Sequence, residues 1–185
     1  MIKTMPIPNI SSRRVFLVGA ATIFGGWPIL VHAATTQTHE EKFKLLSTQG
    51  NSNCSAEFLD SISKMSKDAR LRGSCCSPME LTRYKKQIEG LVKYNIIADI
   101  PPDSYDIEAG LATRLLGYYD LALTTDEKKE YDYAMEHSHE KGPCCCRCWR
   151  WKVYGGLGKL LIREHGMNGK QVTEVWDLSD GCGGA

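Results

Sequence analysis

Gly142-Pro143-Cys144-Cys145-Cys146-Arg147-Cys148-Trp149-Arg150-Trp151 is the stretch on which the reading of this chain turns. Gly142-Pro143 stops the element before it, and a proline suits the first turn of a new helix because its missing N–H would have no partner there. Trp149, Trp151, Val153, Leu157, Leu160 and Leu161 recur at the spacing of that helix. Gly155, Gly156 and Gly158 each cost it about 1 kcal/mol of propensity, so they point to close packing against another backbone. This placement puts four thiols in the first turn or so of a helix, with Cys144 and Cys148 on one face and Cys145 nearly on it. Unpaired amides, the helix dipole and the cations Arg147, Arg150 and Lys152 lower thiol pKa at such a position. Thiolates are what soft metals bind.

Working outward, the chain punctuates itself into helices. From Cys54 onward Phe58, Ile62, Met65 and Ala69 predict a first amphipathic helix stopped at Gly73. Ser77-Pro78-Met79-Glu80 reads as a capping box opening a second, with Leu81, Tyr84, Ile88 and Leu91 on one face, to about Tyr94. Pro101-Pro102 breaks the chain, and Asp106 to Tyr119 is a third. Thr124-Thr125-Asp126-Glu127 caps a fourth that runs through Glu140, and Asn168-Gly169-Lys170-Gln171 caps a last short one carrying Val172, Val175 and Trp176. No strand pattern emerges. The expected fold is all-α, a small bundle of about five or six helices with cysteine clusters at helix N-termini. Residues 54–185 form this cysteine-rich domain, preceded by a polar linker over 34–53 with a short helical run at Glu40 to Leu46.

All eight cysteines lie after residue 50, at 54, 75, 76, 144, 145, 146, 148 and 182. A domain of this length buries a normal core without staples, so the sulfurs call for a chemical explanation. Cys75-Cys76 stands immediately before the helix expected at Ser77, so two helix N-termini each present adjacent sulfurs. The expected ligand set is Cys144, Cys145, Cys146 and Cys148, assisted by Cys75 and Cys76. His137 and His139 are candidate imidazole ligands at the end of the preceding helix, although side chains two residues apart diverge on a helix. Cys182, on a flexible glycine tail, is a candidate lid. Thiolate-rich sets suit copper(I), zinc or an iron–sulfur cluster, and exclude calcium and magnesium. Paired Cys-x-x-Cys zinc-finger spacing and ferredoxin spacing are both absent.

Two alternatives use the same thiols. A disulfide-stapled domain would set the clustered sulfurs against 54, 75, 76 and 182, yet each bridge needs α-carbons roughly 4.4–6.8 Å apart, which demands that four segments converge on one short stretch. One or two bridges, with Cys54 the expected participant, fit better. Cys145-x-x-Cys148 resembles the exchange arrangement of thioredoxin-like proteins, in which Cys145 would attack and Cys148 resolve. That resemblance implies flanking strands, and none is read. Trp149, Trp151 and Trp176 are read as core with an indole amide on a carbonyl, and the charge run Asp126 to Glu130 as a solvated face. His165, just before Gly166, is read as a partner of a helix C-terminus. No Ser-His-acid order, phosphate loop or paired-carboxylate motif emerges, so metal binding is favoured over catalysis.

The N-terminus is an address. Ser12-Arg13-Arg14-Val15-Phe16-Leu17 precedes an apolar, uncharged stretch from Gly19 to Val31. It resembles a twin-arginine signal over residues 1–33, with small residues at Val31-His32-Ala33 before a cut at Ala34. The resemblance implies export by the twin-arginine machinery of a domain already folded, a route used by proteins that acquire a metal in the cytoplasm. The expected location is the periplasm or the outer face of the cytoplasmic membrane, with membrane attachment only through an uncleaved leader. Net charge is +1, and falls to −2 once Lys3, Arg13 and Arg14 leave with the leader, which excludes nucleic acid as a partner. The expected partners are a metal ion and a redox or metal-transfer protein.

Overall fold

A computed structural model describes residues 37–183, so the leader read at 1–33 lies outside the described residues. The helices are α1 (His39–Thr48), α2 (Ala56–Ile62), α3 (Leu81–Leu91), α4 (Ala109–Tyr119), α5 (Thr125–His137), α6 (Trp149–His165) and α7 (Gly169–Ser179). A 3-10 turn, Val92–Tyr94, extends α3. The fold is mostly helical, but not all-α: β1 (Arg70–Arg72) and β2 (Asp106–Glu108) pair antiparallel. Among the described residues no helix is long and apolar enough to cross a membrane.

The small sheet explains two departures from the expected helices. Arg70, Leu71 and Arg72 face Glu108, Ile107 and Asp106 in register, so Leu71 and Ile107 meet in the core while the charges pair outside. Arg70 Nε stands 2.8 Å from Asp106 and its Nη1 3.0 Å from Glu108. Three residues per strand give too little alternation to betray a period of two. The first helix therefore stops at Ile62, and α4 begins at Ala109, three residues later than Asp106. The free edge of β1 is covered by Asn51, whose side chain accepts from Arg72 N–H at 2.7 Å and donates to the Arg70 carbonyl at 2.9 Å.

The 34–53 segment is more than a linker. Thr38 and Glu41 close a reciprocal capping box on α1, and Leu46 is buried with Tyr84 and Tyr105 while Phe43 packs against Tyr84. Lys42 reaches Asp103 at 2.9 Å and Asp106 at 3.3 Å, tying α1 to the chain leading into β2.

Helix α6 is the centre of the molecule. Trp149, Val153, Leu157, Leu160 and Leu161 are buried along it, and Gly156 lies against the carbonyl of Leu115 on α4. Gly158 accepts the indole of Trp176 from α7, whose Nε1 donates to the Tyr154 carbonyl at 2.8 Å. Trp149 is core as expected, whereas Trp151 is half-buried against Gly142. Helices α5 and α7 carry the capping boxes read at Thr124/Glu127 and Asn168/Gln171. His165 faces Asp99, at 3.2 Å, rather than a helix end alone.

Glu127 does more than cap. Arg163 donates from Nε and Nη2 to its two carboxylate oxygens, and this pair, with the Thr124 amide, holds Glu127 at about 2 against an ordinary 4.5. A carboxyl depressed by folding stabilises fully above its unfolded pKa and loses that contribution as pH falls through the folded one. The expected result is a thermal midpoint for the native chain that drops more steeply between pH 4.5 and 2 than that of Arg163→Gln. Parallel pH profiles would show that the pair contributes nothing.

Candidate metal centre

Four chain segments deliver the sulfurs to one place. Cys54 lies just before Ser55, which caps α2 by accepting from the Phe58 amide. Cys75 and Cys76 lie in the loop that leaves β1. Cys144, Cys145 and Cys146 lie in the irregular stretch before α6, and Cys148 is its N-cap; Cys182 follows α7. The convergence that argued against several bridges is therefore present.

The local placement differs from the expected one at both helix ends. Helix α6 starts at Trp149, not at Pro143, so only Cys148 touches its terminus. Helix α3 starts at Leu81, and its cap is Glu80, which accepts from the amides of Thr82 at 2.8 Å and Arg83 at 2.6 Å. Ser77 is turned to the other side, where its amide and hydroxyl both donate to the Cys182 carbonyl, at 3.0 and 2.9 Å. Cys75 and Cys76 thus stand in a loop pinned to the C-terminal segment rather than on a helix end.

Sulfur–sulfur separations are short throughout. Cys54 is 3.2 Å from Cys76 and 3.6 Å from Cys146; Cys76 is 3.2 Å from Cys146 and 3.6 Å from Cys75; Cys75 is 3.8 Å from Cys148, and Cys145 is 4.0 Å from Cys76. Cys144 and Cys182 are at disulfide distance, with α-carbons 6.8 Å apart. The set has a floor and a rim: Cys144, Cys148 and Cys182 are buried, while Cys54, Cys76 and Cys145 are exposed.

Ligand atoms gather into groups that could hold a metal ion: Cys54, Cys75, Cys76 and Cys146; Cys76, Cys145, Cys146 and Cys182; Cys144, Cys146 and Cys148; and Cys144, Asp180 and Cys182, each within 4.8 Å. All six cysteines of the expected core set are here. Cys54, expected in a bridge, belongs to the first group. No imidazole belongs to any of these groups. His137 instead stacks on Tyr133 and shares a hydrogen bond with its carbonyl at 2.8 Å, while the His139 side chain is largely exposed, 3.7 Å from Asp177. His137 ends α5 and His139 follows its cap, and both side chains are exposed.

Cys182 is not on a flexible tail. Its amide donates to Asp180 at 3.1 Å, the Asp180 carbonyl accepts from Gln87 at 2.8 Å and from Tyr105 at 3.2 Å, and the Asp180 carboxylate pairs with Arg83.

Four of the thiols, Cys54, Cys76, Cys145 and Cys148, are shifted upward, opposite to the expected direction. Burial pushes Cys54 up to about 11 and raises Cys145. Cys76 rises for the same reason and because Cys146 and Cys54 crowd it, and Cys148 rises through the Cys75 thiol and then burial. A sulfur packed among other sulfurs, partly shielded from water and with one helix end at most, resists charging. A metal ion reverses that preference by supplying the missing positive charge. Comparison with protein-family models, curated proteins and solved structures returns no match. The chemistry of the site therefore rests on its own residues.

Proposed function

We propose that this is an exported, cysteine-rich metal protein that holds a soft ion through a thiolate set and serves metal handling. Export rests on the twin-arginine resemblance at residues 12–17, and places the domain in the periplasm or on the outer face of the cytoplasmic membrane. The observation that carries the metal reading is the first four-sulfur group, Cys54, Cys75, Cys76 and Cys146, drawn from three separate segments. A tetrahedral ion with metal–sulfur bonds of about 2.3 Å sets its sulfurs roughly 3.8 Å apart, close to the spacing seen. In an iron–sulfur cluster inorganic sulfide stands between the protein thiolates, so close direct sulfur contacts favour copper(I) or zinc. The exposed rim offers an ion a way in and a partner a way to take it, which favours handling over electron transfer.

The exchange reading is less well supported. Its nucleophile, Cys145, has a raised pKa, whereas exchange needs a thiolate near neutral pH. The disulfide reading keeps one observation, the Cys144–Cys182 pair.

Elemental analysis with thiol counting, on protein purified without oxygen from its own host, is the test. Copper or zinc near whole-number stoichiometry, with most thiols protected from alkylation, is expected. Metal-free protein whose eight cysteines are all accounted for as disulfides would end the metal reading.

A further inference from the structure

The two four-sulfur groups are not separate. Cys76 and Cys146 belong to both, and their sulfurs are 3.2 Å apart. Cys54 and Cys75 complete one group, Cys145 and Cys182 the other. Two tetrahedra that share an edge need this arrangement: a shared pair and a terminal pair on each ion. Sharing also limits charge. Two divalent ions held by separate thiolate tetrads carry about −4 together, whereas an edge-shared pair carries about −2, and unbalanced charge is costly in a partly buried site. The remaining sulfurs, Cys144 and Cys148, lie beneath with Cys146.

Cys182 is also the partner of Cys144. While that bond is closed, Cys182 has no thiolate to give, and the second group is left with Cys76, Cys145 and Cys146. The first group contains neither partner of the bond and keeps all its thiols.

We infer that the sulfur constellation is a two-ion centre in which Cys76 and Cys146 bridge the ions, and that the second ion enters only when the Cys144–Cys182 bond is open. This rests on the soft-metal reading above. Opening is a reduction by a dithiol. The sulfur–sulfur bond breaks, two electrons and two protons pass to Cys144 and Cys182, and the dithiol leaves as its own cyclic disulfide. Cys182 then gives up its proton to solvent as it takes the second ion. Reducing conditions thus raise the capacity of the site, and oxidation returns it to a single ion.

Cobalt(II) reports number and bridging together, because its thiolate complexes absorb strongly and two ions joined by thiolate couple their spins. The full chain is titrated without oxygen in two preparations, one with the disulfide closed and one reduced with a dithiol that is then removed. The reduced protein is expected to take two equivalents, its paramagnetic resonance rising to the first and falling toward the second. The closed protein is expected to take one, with the signal undiminished. Cys145→Ser, a change at an exposed sulfur outside the first group, is expected to leave one uncoupled ion even after reduction.

Two uncoupled ions in the reduced protein would overturn the bridge, and a single ion there would overturn the second site. Two ions in the closed protein would overturn the dependence on reduction. Absence of cobalt uptake in either preparation brings down the soft-metal reading itself, a result distinct from the other three.

Discussion

Gly156→Ala is expected to destabilise the domain by about 3 kcal/mol, although alanine is the better helix former by about 1 kcal/mol. A Cβ on Gly156 would lie 2.9 Å from the Leu115 carbonyl carbon and closer still to its oxygen, and 3.1 Å from the Tyr119 amide. These are backbone atoms of α4, so no rotamer change relieves the clash, and the two helices must separate along their common interface. Leu115, Leu157 and Leu161 are all buried in the same core and would lose contact as they do. Gly117→Ala supplies the control, since a Cβ there meets nothing within 4 Å. That change, on the exposed side of α4, is expected to stabilise by about 0.5–1 kcal/mol through propensity alone. Urea unfolding of both variants with unchanged slope checks the pair, and a neutral Gly156→Ala would show that α4 and α6 do not meet so closely.

That interface is legible in the sequence. Three glycines among the leucines of α6 made no sense as helix formers and did make sense as a surface for another backbone. The capping boxes at Thr124/Glu127 and Asn168/Gln171 were legible for a similar reason, because both halves of each device are local. The box at Ser77/Glu80 was misread because its residues also fit another use. Ser77 is spent on the Cys182 carbonyl, more than a hundred residues away, and Glu80 alone caps α3. A side chain whose partner is distant in sequence leaves no local trace. The strands failed likewise: Arg70-Leu71-Arg72 becomes a strand only because Asp106-Ile107-Glu108 faces it with complementary charge.

The sulfur site divides along the same line. The types of residue announced the chemistry, and seven of the nine candidate ligands, all the cysteines among them, fall in the candidate groups. Spacing suggests helix ends and lowered pKa values; only Cys148 stands at a helix end, and Cys76 and Cys148 are raised because thiols gathered from different segments crowd one another. Cys54 has no neighbour in sequence that marks it, and Asn51 and Ser52, both bonded to the Arg72 carbonyl of β1, bring the loop that carries it to Cys76. His137 and His139 are candidates through closeness along the chain alone, and the contacts that hold them are elsewhere: His137 stacks on Tyr133 and the His139 amide donates to Asp177.

Arg150→Met is expected to cost about 2–5 kcal/mol, because two buried carbonyls lose their donor at about 1–3 kcal/mol each. Arg150 is fully buried on α6, two residues after Cys148, and no carboxylate among the described residues forms an ion pair with it. Its Nη2 donates to the Gly73 carbonyl at 2.7 Å and its Nη1 to the Ser104 carbonyl, while the guanidinium lies 4.6 Å from the centre of the Trp149 ring. Gly181 closes over it so tightly that a Cβ there would strike the guanidinium. One side chain therefore braces its own helix, the chain two residues before Cys75 and the chain one residue before Cys182. Methionine fills part of the volume but leaves both carbonyls without a donor. Arg150→Lys keeps the charge but not the planar fork that reaches both carbonyls from beside the Trp149 ring, so it should recover only part of the loss. Denaturant midpoints rank the three proteins, and a cobalt titration of the folded fraction gives the second reading. If Arg150 braces the sulfur-bearing segments, the methionine protein binds its first ion more weakly even at temperatures where it is fully folded. If affinity is unchanged while stability falls, Arg150 supports the core and the sulfur segments are held by the Ser77 and Asp180 contacts alone.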